Sequence, residues 1–197
     1  MKTLTTISLA LAMFTTAAYA GDAKAPADKK APDAGKPADK PAAMEAPKPP
    51  QEVADMAKSI AGTWKCTGKA QMGPGAPVDF TASITQKLDL DKWWIQGSLA
   101  TTGKVPFKFT EYTGYDPVGK KWHRMGVDNM GGGRTMEASG MTDGKMVWEG
   151  TGMEMGQMVK LRDTEEVMKD KSFHTLGEES TDGGKTWKMG HDATCKK

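Results

Sequence analysis

The residues best suited to chemistry are soft or titratable, and most lie in the second half of the chain. Fifteen methionines are present, eight of them between Met125 and Met158. Met153-x-Met155-x-x-Met158 sets three thioethers close together, and soft thioethers suit copper(I). Met189-x-His191 adds two donors on one face of a strand. These five residues, Met153, Met155, Met158, Met189 and His191, form one candidate metal set. The competing reading treats methionine as flexible filler of an irregular core or ligand cavity. Strand parity alone does not converge ligands, so the filler reading leads.

Catalytic signatures are missing from the sequence. It holds no G-x-S-x-G and no H-E-x-x-H. Gly184-Lys185-Thr186 resembles the end of a P-loop, but Glu179 stands where the upstream glycine belongs. Ser180-Thr181-Asp182-Gly183-Gly184-Lys185-Thr186-Trp187 fits an Asp-box hairpin, in which Asp182 accepts backbone N–H groups and Trp187 packs beneath. That box reads as structural. Glu111 shares strand parity with Phe107, Phe109 and Tyr115. Turned inward it needs a partner, and Arg124 is the candidate. A bulge turning Glu111 outward is the alternative. Only Glu111, Arg124 and His123 motivate an enzyme, one acting on a small envelope-derived substrate, and parity puts His123 on the face opposite Arg124.

These side chains need elements to position them. Val53, Met56, Ala57 and Ile60 fall at i, i+3, i+4 and i+7, predicting a short helix over 51–60. From there the period is two. Trp64, Cys66, Gly68 and Ala70 share one face of a strand. Val78, Phe80, Ala82, Ile84 and Leu88 alternate with polar residues in the next. Further strands are expected at 93–101, 105–115, 120–128, 133–141, 145–152, 157–167, 171–179 and 186–195. Turn chemistry at Asp116-Pro117-Val118-Gly119, Asn129 to Gly133, Thr142-Asp143-Gly144-Lys145 and Thr181 to Gly184 leaves no room for helical crossovers. The expected fold is all-β: an antiparallel up-and-down barrel of about ten strands, preceded by the helix. A sandwich is the alternative.

The cysteines favour the barrel. Cys66 has the parity of Trp64, and Cys195 that of Trp187, Met189 and Ala193. In a closed meander the first and last strands are neighbours, so a Cys66–Cys195 disulfide is natural there. It closes a loop of about 130 residues, for which chain entropy gives about 5 kcal/mol as an upper figure. The pair points to an oxidising compartment. Residues 1–20 agree: Lys2, an apolar run from Ile7 to Phe14, and Ala18-Tyr19-Ala20 read as a signal peptide cut after Ala20. A periplasmic or secreted location is expected. Residues 21–50, with seven prolines and no aromatic residue, read as a disordered linker, and 51–197 as the barrel domain. No later segment predicts a membrane span. The formal charge is +2 with interspersed signs, which argues against nucleic acid.

Gly62-Thr63-Trp64 resembles the G-x-W that opens lipocalins and other calycin-like barrels. Tyr112-Thr113-Gly114-Tyr115-Asp116-Pro117, Lys120-Lys121-Trp122 and Val127-Asp128-Asn129-Met130-Gly131 resemble the core of an uncharacterised bacterial family, domain of unknown function fifteen-seventy-nine. Its members are often exported and lipocalin-like. The resemblance covers about residues 51–195 and implies a fold, with no settled activity to transfer. It also implies an arginine near the end of the last strand, where this chain has Cys195-Lys196-Lys197; the disulfide is expected to replace that contact. In related nitrobindin-type barrels a histidine ligates haem; here the hydrogen-bonded or exposed imidazole is the favoured reading for His123, His174 and His191. The leading function is a non-enzymatic binder of a small hydrophobic ligand, with no cofactor. Its cavity candidates are Trp64, Phe80, Phe107, Phe109, Glu111 and Arg124.

Overall fold

Ten residues, Gln51–Ile60, form helix α1. Its Val53 and Ala57 are fully buried, and Met56 and Ile60 pack beside them, as the i, i+3, i+4, i+7 spacing predicts. The helix ends where Ala61 turns extended, and Gly62 follows at positive φ (119°), which glycine adopts without steric cost. The computed structural model describes residues 46–102, 106–154, 156–168 and 172–197, and Glu45–Lys197 forms one compact unit. The signal peptide and nearly all of the linker expected over 1–50 lie outside the described residues.

Eleven strand segments follow: β1 (Gly62–Ala70), β2 (Val78–Asp89), β3 (Trp94–Thr102), β4 (Lys108–Asp116), β5 (Lys121–Asp128), β6 (Gly133–Ala138), β7 (Met141–Thr142), β8 (Lys145–Glu154), β9 (Gln157–Val167), β10 (Phe173–Ser180) and β11 (Lys188–Lys196). Nearest neighbours pair antiparallel from β1 to β6 and from β8 to β11. Pairing of β6 with β8, and of β1 with β11, closes ten of them into a ring. The two-residue β7 pairs only with β8 at the rim. The single run expected over 133–141 is thus broken. Gly140 sits at φ 115°, and Met141 turns away to pair with Met146. Met141 has the parity opposite to the inward Met136 and Ala138, so the alternation itself breaks here.

The seam has the expected register. Cys66 lies directly opposite Cys195, and the two are bonded, 129 residues apart in sequence. Trp64, Cys66, Ala82 and Cys195 form an apolar cluster with Phe80, Ile84, Leu99 and Phe173 against it. Trp64 meets Phe173 edge-on at 4.9 Å and donates its Nε1–H to the Ile60 carbonyl at 2.7 Å. Lys197 places its Nζ 4.7 Å from the centre of the Trp64 ring and 3.4 Å from the Ser59 carbonyl. The chain therefore has both a disulfide and a terminal cation at the seam.

The 181–187 hairpin is held by Asp182. One carboxylate oxygen accepts from the amides of Lys185 and Thr186 and from the Ser180 hydroxyl; the other accepts from the Thr186 hydroxyl at 2.7 Å. Thr186 first, then Ser180, hold the carboxyl well below its ordinary range. A lowered folded value means the anion stabilises the hairpin. That contribution is complete above the unfolded carboxylate range, about 4, and disappears as pH falls through the depressed folded value. Asp182→Ala should accelerate amide exchange at Lys185 and Thr186 at neutral pH and leave the barrel strands unchanged. Unaltered exchange in that hairpin would contradict its role.

Candidate functional site

The two ends of the barrel differ. Helix α1 covers one of them, its Val53 and Ala57 sharing an apolar cluster with Ile95, Trp122, Met136, Met146 and Trp148, which are buried to within a few per cent. At the other end the inward-facing Phe80, Leu99, Phe107 and Phe109 keep part of their surface in solvent. Phe107 and Phe109 stack with ring centroids 6.4 Å apart. The barrel is thus plugged at the helix end and has an apolar mouth at the other.

Between plug and mouth lies a network of charges. Glu111 on β4 does point inward, and Arg124 is one of its partners, with Nε 3.7 Å from Oε2. Arg124 makes a two-toothed contact with Glu165 on β9, at 2.8 and 3.2 Å. Its guanidinium stacks 3.9 Å from the centre of the Trp148 ring, and the Trp148 Nε1–H donates to the same Glu165 carboxylate at 3.1 Å. Arg134 on β6 bonds Asp163 at 2.9 Å and Glu111 at 3.3 Å, and lies 4.4 Å over Phe109. Burial works against the Arg124 charge, but Glu111 and Glu165 outweigh it and hold the guanidinium protonated beyond its ordinary range.

Inward glycines make the room. Gly97 lies opposite Glu111, and a Cβ there would stand 3.1 Å from the Glu111 Cγ. Gly126 faces the ring of Phe109, and Gly177 faces the ring of His191, each in a contact that leaves no space for a side chain. His191 lies in the wall with Nε2 3.2 Å from the Thr175 hydroxyl. Burial lowers its tendency to protonate, against the pull of Asp163. At the mouth, the Glu154 carboxyl is held above its usual range by desolvation first, then by Glu179 and Asp128.

Of the residues singled out in the sequence, the structure brings Phe80, Phe107 and Phe109 to the mouth and Glu111 and Arg124 to the polar layer beneath. Trp64 is placed elsewhere, 5% exposed in the seam cluster. His123 faces out, 3.6 Å from Glu137, away from Glu111 and Arg124. Met153 and Met158 oppose each other across the β8–β9 hairpin, and both are exposed. Met155 lies outside the described residues. Met189 and His191 sit on β11, with His191 against Gly177. Among the described residues no group of three or more His, Cys, Asp or Glu is placed to hold a metal ion. Sequence reasoning missed Arg134, Asp163 and Glu165. The available signal was strand parity: Arg134 alternates with Met136, and Asp163 and Glu165 continue the inward series of Val159 and Leu161.

Fold and interior define a class: a closed, helix-plugged ten-strand antiparallel barrel with a buried ion-pair layer. The chain belongs to the family described as Protein of unknown function (DUF1579), which it matches over residues 49–194. Among solved structures it is similar to the crystal structure of Rv2717c from M. tuberculosis, with a TM-score of 0.57 and 12% identity over 73% of this chain and 95% of that chain. That likeness concerns the fold alone. No curated protein matches. Among the described residues no helix is long and apolar enough to cross a membrane.

Proposed function

We propose that this protein is a non-enzymatic binder that takes a small, largely apolar ligand into the mouth of the barrel. One observation carries the reading. Inward aromatic and aliphatic side chains at the mouth, Phe80, Leu99, Phe107 and Phe109, are part-exposed, whereas the helix end is sealed. Apolar surface left facing a concave opening is the usual mark of a ligand site. The ion-pair layer gives the site a polar floor, so the ligand is amphipathic, with its tail among the phenylalanines. The reading includes an exported protein, supported by the Cys66–Cys195 bond and the leader-like residues 1–20.

Native mass spectrometry of protein purified from its own host tests the proposal. A reproducible small-molecule adduct is expected, weakened about tenfold in Phe109→Ala, since removing one aromatic wall forfeits between one and two kcal/mol, roughly, of burial. Repeated preparations free of any adduct, together with no binding of hydrophobic probes, would sink it.

A further inference from the structure

The polar layer beneath the mouth has unusual leftovers. Register places Gln86, Gly97, Glu111, Gly126, Arg134 and Gly152 side by side across β2, β3, β4, β5, β6 and β8. Polar side chains alternate with glycines along this row, and neighbouring side chains close over those glycines: Glu111 over Gly97, Phe109 over Gly126 and Leu161 over Gly152. Each of the four terminal guanidinium nitrogens of Arg124 and Arg134 donates to a carboxylate, of Glu165, Asp163 or Glu111. What remains is specific. The Nε–H of Arg124, the Nε–H of Arg134 and the side-chain carbonyl of Gln86 are buried without a hydrogen-bond partner among the described residues. Arg124 itself is 5% exposed. Orphaned buried donors and acceptors are rare because each carries its full desolvation cost.

The charge balance narrows the choice. Two guanidinium groups face three carboxylates, Glu111, Asp163 and Glu165, so the layer carries one negative charge in excess. An incoming carboxylate would meet like charge from the excess carboxylate of the layer. A head group that is neutral, with one oxygen acceptor and one N–H or O–H donor, matches what is left: acceptor to the Nε–H groups, donor to the Gln86 carbonyl.

We infer that the ligand of this barrel carries a neutral polar head with both an acceptor and a donor, a carboxamide or its hydrogen-bonding equivalent, and that Gln86 and the Nε–H groups of Arg124 and Arg134 read it. The inference rests on the binding function proposed above and specifies its chemistry. Gln86 is a specificity residue here, and neither composition nor any catalytic motif marks it.

The experiment compares octanamide, octanoate and octylamine on the full-length mature chain at pH 8 by titration calorimetry. Octanamide is expected to bind at least tenfold tighter than octanoate. Gln86→Leu should reduce octanamide affinity about tenfold while preserving or raising the melting temperature, because it removes a buried unpaired acceptor. A purely structural Gln86 would leave affinity unchanged, which overturns its assignment. Octanoate or octylamine binding as tightly as octanamide overturns the inference and leaves the binding function standing. If none of the three binds, and the chain from its own host carries no adduct, binding function and inference fall together.

Discussion

Replacing Cys66 and Cys195 together by alanine should lower unfolding free energy by about 3–5 kcal/mol without opening the barrel. The loop they close spans 129 positions, so most of the loss comes from an unfolded chain that gains freedom. The native seam keeps other support. Six ladder positions, from Lys65↔Lys196 to Ala70↔His191, still join β1 to β11. Lys197 over Trp64 also remains. Alanine is the right replacement, because Cys66 and Cys195 are 2% and 0% exposed in an apolar cluster where serine would bury a hydroxyl. Denaturant titration of the oxidised and double-alanine forms decides the matter. The midpoint should fall, and the slope should rise as the unfolded chain expands. A midpoint shift below about 1 kcal/mol would mean that the seam confines the chain without the bond.

The second large effect concerns Arg124. Arg124→Met should destabilise the domain by about 3 kcal/mol, because it leaves the half-buried Glu165 without its cation and Glu111 with Arg134 alone. Trp148 would also lose the guanidinium stacked 3.9 Å from its ring centre. Removing both members of the closest pair tells a different story. In Arg124→Met with Glu165→Leu much of the lost stability should return, since two desolvated charges disappear together. The coupling from this double-mutant cycle is expected to exceed 1 kcal/mol, roughly. Thermal melts of the two single variants and the double variant provide the check. Simple addition of the two single losses would show that the pair does not act as a unit. A return of stability accompanied by loss of ligand binding would separate the network's architectural cost from its use.

Much of the architecture is legible in the chain. Helix α1 and strand β9 occupy the spans that their periodicity predicts, 51–60 and 157–167. The parity of Cys66 and Cys195 anticipates a seam between the first and last strands, and the register bears it out. The break at Gly140 has a sequence mark that a single run over 133–141 passes over: Met141 falls on the parity opposite to Met136 and Ala138, and it changes partner. The site is half legible. Glu111 with Arg124 follows from parity on neighbouring strands. Arg134 with Asp163, and Arg124 with Glu165, depend on ring closure through β6 and β8, which brings β5 and β6 near β9 across the interior. No local pattern encodes a contact across a barrel. Gln86 is quieter still: it sits among polar and apolar residues alike, and only its buried Oε1, without a hydrogen-bond partner among the described residues, marks it.

The seam also determines when this molecule can finish folding. Its two edges are β1 and β11, so the ring cannot close until β11 is available to pair with β1. Topologies dominated by such distant pairings fold slowly, on the scale of milliseconds to seconds. During that wait β1 and β11 are bare edges able to pair with another copy. With two cysteines in the sequence, oxidation within one chain has a single outcome. Mispairing of these two cysteines can therefore occur only between chains, so covalent dimers formed during oxidation would report directly on how long the seam stays open.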